Sequence, residues 1–222
     1  MTIDTQTHRA EKGAFRDKTF PKHQIVLHYT AGSSVSGCAA SFRKSGAGTA
    51  YILAPDGLIY EWFSPEYWDS HLYRHKTGER KELYHLEQTT IGIEIVNIGP
   101  LIDGIKIKSG DPSWLYTYTH KKWCLKTQFE KYVQWSWKRY DYWATYTMDQ
   151  YHAVAELCRA LGNRFGIPLV CLNTDLTPIP IETLMNHTGI TTHCNYRADK
   201  LDVGPAWDYA MFEKLLMADV VV

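Results

Sequence analysis

At 222 residues the chain can build one sizeable α/β domain and does not require two. Lysine plus arginine equals aspartate plus glutamate at 24 each, so no global field recruits a polyanion and nucleic acid is not an expected partner. The five cysteines, Cys38, Cys124, Cys158, Cys171 and Cys194, form no CxxC pair, which argues against both a disulfide scaffold and a cysteine-based zinc site.

Residues 1–22 are polar with little periodicity and read as an N-terminal arm. The opening MTIDTQTHRAEKGAF has neither the basic nor the apolar region of a secretory signal, and nowhere do about eighteen apolar residues run together. Neither a signal peptide nor an integral membrane segment is therefore expected. In QIVLHYTAG, residues 24–32, Ile25, Val26 and Leu27 suit a strand buried on both faces. His28 falls near its carboxyl end, where open α/β sheets keep their ligand crevice. A histidine there is either a core side chain bonded to backbone or a functional group.

SSVSGCAASFRKSG follows as a short helix, with Ser33 or Ser34 as N-cap and Gly46 as stop. TAYILAPDGLIYEWF holds two apolar runs around Pro55-Asp56-Gly57, a hairpin signal. TTIGIEIVN is a third strand-like run with Glu94 in its middle, and a carboxylate there is costly unless paired or used. Residues 100–146 interleave Trp114, Trp123, Trp135, Trp137, Trp143 and many tyrosines with lysine and arginine. Two readings stay open: an insertion packing its own aromatic cluster on the domain, or a wall that stacks sugar or peptide beside a site. TMDQYHAVAELCRALGNRFG is a helix, with a Thr147–Gln150 capping box, an apolar face of Tyr151, Val154, Ala155, Leu161 and Phe165, and Gly166 as stop. A last amphipathic helix runs through Trp207, Met211, Phe212 and Leu215.

GITTHCNYRADKLDVGP, residues 189–205, offers what could join His28. Imidazole nitrogen and carboxylate oxygen both ligate zinc, and three protein ligands plus one open position make a catalytic site. His28, His193 and Asp202 supply that set, and Glu94 adds a second strand-borne polar group.

HYTAG, TAYILAPDG, WDSHL at 68–72, IGIEIVN at 91–97, the YTxxQ helix start at 146–150 and HCNYRADKLDVGP at 193–205 resemble, in order, the zinc-dependent N-acetylmuramoyl-L-alanine amidases of type 2. The resemblance covers roughly residues 23–216. It implies an α/β catalytic domain over 23–222 with a central mixed β-sheet flanked by helices, interrupted by the insertion at about 100–146. It also implies Zn2+ on His28, His193 and Asp202, Glu94 as catalytic acid/base, and Lys200 as the cation facing the developing oxyanion. Cys194 is then a bystander. Thr49, Tyr51, His71 and Asn97 are expected to bind substrate, a peptidoglycan strand or soluble muropeptide. Thr49 stands where some relatives carry a catalytic tyrosine, and Lys200-Leu201-Asp202-Val203-Gly204 lacks the proline of the usual K-x-D-P-G. The alternative is a peptidoglycan-binding or regulatory module that has lost the chemistry. Synthesis in the cytoplasm leaves three settings: a phage lysin released through a holin, an effector delivered by a secretion apparatus, or a recycling enzyme.

Overall fold

The computed structural model describes residues 1–72, 83–172 and 174–218. Its first half runs β1 (Ile3–Asp4), β2 (Gln24–Tyr29), α1 (Val35–Ser45), β3 (Tyr51–Leu53), β4 (Ile59–Glu61), α2 (Leu83–Thr89), β5 (Thr90–Ile95) and β6 (Pro100–Asp103). There follow β7 (Trp114–Tyr116), β8 (Lys122–Leu125), β9 (Tyr132–Trp137), β10 (Tyr140–Ala144), α3 (Met148–Phe165), α4 (Ile181–Asn186), β11 (Gly189–Thr192), α5 (His193–Tyr196) and α6 (Tyr209–Met217). Among the described residues no helix is long and apolar enough to cross a membrane.

The strands form two sheets. The central one has the order β1-β4-β3-β5-β2-β11. Within it β2 pairs in parallel with β5 and β11, and β3 pairs in parallel with β5 but antiparallel with β4, so the sheet is mixed. The β3–β4 hairpin turns at Pro55-Asp56-Gly57, where Gly57 has φ +82 and the Ala54 amide donates to the Leu58 carbonyl at 2.9 Å.

Side chains level across a parallel pair share a face. Ile25 and Leu27 of β2 lie level with Ile91 and Ile93 of β5, and they join the core that contains Val154, Leu157 and Leu161 of α3 and Phe212 of α6. Each such aliphatic side chain contributes about 1.5–3 kcal/mol on full burial. On the other face Gln24, Val26 and His28 lie level with Thr90, Gly92 and Glu94, and Val26 packs with Leu86 of α2, Leu184 of α4 and Tyr196 of α5. Helices thus cover both faces.

The caps read from sequence are present. Ser34 accepts from the Gly37 amide, Gly46 closes α1 at φ 64, and Thr147 and Gln150 bond each other's backbone at the start of α3. The capping-box Gln150 has a second task, since its Nε2 donates to the Val96 carbonyl at 2.8 Å and ties α3 to the end of β5.

Residues 100–146 fold as a five-stranded antiparallel sheet in the order β8-β7-β6-β10-β9, none of whose strands was read from sequence. Its small core holds Leu101, Leu115, Cys124, Tyr132 and Ala144, with Trp123 and Tyr142 packed against it. The N-terminal stretch read as an arm is packed on the body: β1 pairs with β4, the Ala10 amide donates to the Trp62 carbonyl, Arg16 pairs with Asp69, and Phe15 stacks on Phe63 and Tyr67. Lys22 is buried and donates to the carbonyls of Tyr67 and Gln88, each at 2.9 Å.

Candidate active site

Strand register builds the site. His28 lies level with Glu94 on the neighbouring strand, so both side chains leave the same face of the sheet. On the other side of β2, Thr192 lies level with Leu27, and His193 begins α5 one residue later. Asp202 arrives from the loop after α5, and the Cys194 amide donates to its carbonyl at 3.2 Å.

These elements bring His28, His193 and Asp202 together, all buried. His28 Nδ1 is 2.9 Å from His193 Nδ1 and 3.1 Å from Asp202 Oδ2, and His193 Nδ1 is 3.2 Å from the same oxygen. Burial pushes the His193 imidazole down to about 3, against the pull of Asp202, so it is neutral. Burial also works to raise Asp202, but the electrostatic pull of the two imidazoles and their hydrogen bonds outweigh it and hold the carboxyl well below its usual range. Zinc bonds of about 2.0–2.2 Å at tetrahedral angles set donor atoms roughly 3.3–3.5 Å apart, within about half an ångström of the separations here. Nitrogen and carboxylate donors turned toward one point fit a zinc ion.

Support for His28 comes from behind. Its Nε2 faces His71 Nδ1 at 2.9 Å, and His71 Nε2 faces Thr90 Oγ1 at 2.9 Å. With His28 Nδ1 kept as the ligand atom, the consistent tautomers have His28 Nε2–H donate to His71 and His71 Nε2–H donate to Thr90, which fixes the ring as partners of metal-binding histidines do. Burial pushes His71 well below its ordinary value, which keeps it neutral. Its backbone is held by Glu87, whose Oε1 accepts from the amides of His71 and Leu72. Gly92 makes the room: a Cβ there would stand 2.6 Å from Thr49 Cγ2 and 3.1 Å from His71 Nδ1.

A cleft of about 370 Å3 opens over these groups, lined by His28, Thr49, His71, Glu94, Lys200 and Asp202 among others. Burial raises the Glu94 carboxyl to about 7, with Asp202 adding to the shift and His28 and Lys200 opposing it. A carboxyl that gains and loses its proton near neutrality suits proton transfer.

Tyr51 and Asn97 lie elsewhere. Tyr51 is level with Ile93, which puts it on the opposite face from Glu94, in the core beside α3. Asn97 is buried where the two sheets meet: its Nδ2 donates to the Thr145 carbonyl at 2.9 Å and its Oδ1 accepts from the Gly99 amide at 2.6 Å. Sequence reading missed Thr90, although period two from Glu94 through Gly92 leads to it. It also missed Tyr29, which lines the cleft and follows His28 directly.

The N-acetylmuramoyl-L-alanine amidase family profile matches residues 18–205, a span that includes His28, Glu94, His193, Lys200 and Asp202. No curated protein sequence matches the chain. Among solved structures, the N-acetylmuramyl-L-alanine amidase AmiD from E. coli, in complex with anhydro-N-acetylmuramic acid-L-Ala-D-gamma-Glu-L-Lys, has a TM-score of 0.53 at 15% identity, over 93% of this chain and 60% of that one. AmpDh3 from Pseudomonas aeruginosa, in complex with anhydromuramic pentapeptide, has a TM-score of 0.50 at 17% identity, over 97% and 66%. The endolysin amidase LysCS from Clostridium intestinale has a TM-score of 0.50 at 14% identity, over 96% and 97%. At these identities the structures establish a shared fold, and the family profile, which spans most of the sequence, establishes more: this chain belongs to the N-acetylmuramoyl-L-alanine amidase family.

Proposed function

We propose that the chain is a zinc amidase that hydrolyses the bond between N-acetylmuramic acid and the L-alanine of the stem peptide, with His28, His193 and Asp202 as ligands, Glu94 as proton carrier and Lys200 at the oxyanion. The observation that carries this reading is the convergence of three donor atoms at the floor of a cleft that Glu94 and Lys200 also line. A zinc ion bound there would acidify a water and polarise the amide carbonyl. Glu94 takes the proton of the attacking water and returns it to the departing alanine nitrogen, which leaves poorly unless protonated. Lys200 offers a fixed positive charge to the oxygen as it becomes an anion, stabilising the tetrahedral state more than the planar amide. His71 holds the His28 ring, and Thr49 forms part of the wall against which substrate lies.

The bound molecules in the AmiD and AmpDh3 structures are muramoyl peptides, which supports the same substrate class here. Two settings fit this activity: the cell wall, reached by holin release or through a secretion apparatus, and the recycling of soluble wall fragments. The test is mass spectrometry of peptidoglycan and soluble muropeptides after incubation with zinc-loaded protein and with a chelated control. Stem peptides beginning at L-alanine should appear only with zinc, and the ratio of polymer to soluble turnover separates wall lysis from fragment recycling. Replacement of His28, His193 or Asp202 by alanine should remove stoichiometric zinc and turnover together; retention of metal in all three variants would overturn the ligand assignment.

A further inference from the structure

The stretch 198–204 carries both Lys200 and Asp202 but belongs to no helix or strand. Internally it is tied by Arg197, whose guanidinium grips the Asp199 carboxylate at 2.9 and 2.7 Å, and by the Lys200 amide donating to the Arg197 carbonyl at 3.2 Å. Further restraints come from the Cys194 amide on the Asp202 carbonyl and the Trp207 amide on the Gly204 carbonyl, each at 3.2 Å, and from the second sheet and the segment leaving it. Lys138, at the turn between β9 and β10, donates from Nζ to the carbonyl of Ala198 at 2.8 Å and to the carbonyl of Lys200. Its ammonium lies 4.4 Å from the centre of the Trp137 ring, which holds the charge over the loop. Trp143 packs on Gly204, where a Cβ would come within 3.0 Å of the indole, and Tyr146 Oη donates to the Val203 carbonyl at 2.7 Å.

We propose that Lys138 is a positioning residue of the amidase: by binding two carbonyls of the 198–202 backbone it keeps Lys200 and Asp202 turned into the cleft. The inference rests on the zinc amidase reading for its catalytic consequence and on geometry alone for its structural one. A loop carbonyl bonded to water would leave the chain free to swing, whereas two carbonyls on one ammonium fix both the direction of residues 198–200 and the distance to the hairpin. Lys138 touches neither the cleft nor the ligand atoms, so it acts through the backbone of Lys200.

The experiment compares wild type with Lys138→Met, which keeps the stem length and removes the donors, and with Lys138→Arg, which restores donors to both carbonyls. Lys138 has φ 52, and each replacement meets the same backbone demand. Three readouts are taken: amide hydrogen exchange at Cys194 and Lys200 in metal-free protein, zinc affinity by competition with a chelator, and kcat and KM on a soluble muropeptide at saturating zinc. In Lys138→Met exchange should quicken at those two amides, zinc affinity should fall about 10–100-fold as for lost supporting partners of a ligand, and kcat should drop with KM near wild type. Lys138→Arg should recover most of each. Wild-type exchange and wild-type zinc affinity in Lys138→Met would overturn the proposal. Should that variant fail to fold, Lys138→Ala is read by the same measures. If the wild-type chain itself bound no zinc or cut no muropeptide, the zinc amidase reading would fail, while the exchange data from metal-free protein would still decide the role of Lys138.

Discussion

The two sheets solve opposite problems. The central sheet is buried on both faces, so every polar side chain in it must have a partner or a use: Gln24 donates to the carbonyls of Leu184 and His187 and accepts from Tyr196, Thr90 receives His71, and His28 and Glu94 meet the cleft. The second sheet is antiparallel with much of β9 exposed, and such a sheet tolerates side chains that do little. Its tryptophans range from Trp143, 1% exposed, to Trp135, 60% exposed. In the central sheet residue type marks the functional groups; in the second, burial does, because aromatic residues are everywhere and only some touch the loop that carries Asp202.

The largest expected effect tests the central sheet. Glu94→Gln should keep bound metal and lower kcat by about 10²–10⁴-fold, the usual worth of a general acid–base group. A variant with near wild-type turnover would move proton transfer to another residue and leave a half-buried carboxylate in β5 without a task. The pH profile follows from the same group. In the proposed mechanism Glu94 must be ionised to take a proton, so kcat/KM should fall as pH drops through its pKa, which burial raises to about 7. A bound cation can only lower that value, so the acid limb should lie at or below about 7 and vanish in the Gln variant.

Next in size is the contrast between two indoles of the second sheet. Trp143→Ala should cost about 3–5 kcal/mol in urea unfolding, while Trp135→Ala should stay within about 0.5 kcal/mol. Equal losses would break the distinction by burial. The smallest expected effect returns to a helix whose start was read from sequence: Thr147→Ala removes the N-cap of α3 and should cost about 1 kcal/mol. Its hydroxyl also donates to the Pro55 carbonyl at 2.6 Å, so a larger loss would show that this link to the β3–β4 turn adds to the cap.

Periodicity and caps made β2, α1, the β3–β4 hairpin, β5, α3 and α6 legible, because each depends on residues close in sequence. The second sheet was not legible as strands, since its aromatic runs alternate poorly and its pairing depends on the turns between them. The metal-ligand candidates were legible as residue types and the family resemblance joined them into one set, but the geometry that joins them was not: His28 and His193 are brought together by the parallel pairing of β2 with β11, which no local signal encodes. Tyr51 shows the cost of reading sequence proximity as spatial proximity. It stands two residues after Thr49, which lines the cleft, yet pairing with β5 sends its side chain to the opposite face. Lys138 was invisible for a simpler reason, as a lysine in a turn is ordinarily a solvated charge.

One feature of the central sheet bears on solubility. Open strand edges are templates on which other chains can aggregate. Here the outer side of β4 is covered by the two residues of β1 and by the Ala10 amide, and the outer side of β11 by the segment 170–172, whose Val170 carbonyl and Leu172 amide both bond Ile190. Neither cover reaches the cleft. Removing the first ten residues would therefore uncover an edge while leaving the His28, His193 and Asp202 cluster in place, and such a protein should lose colloidal stability at concentrations where that cleft is still assembled.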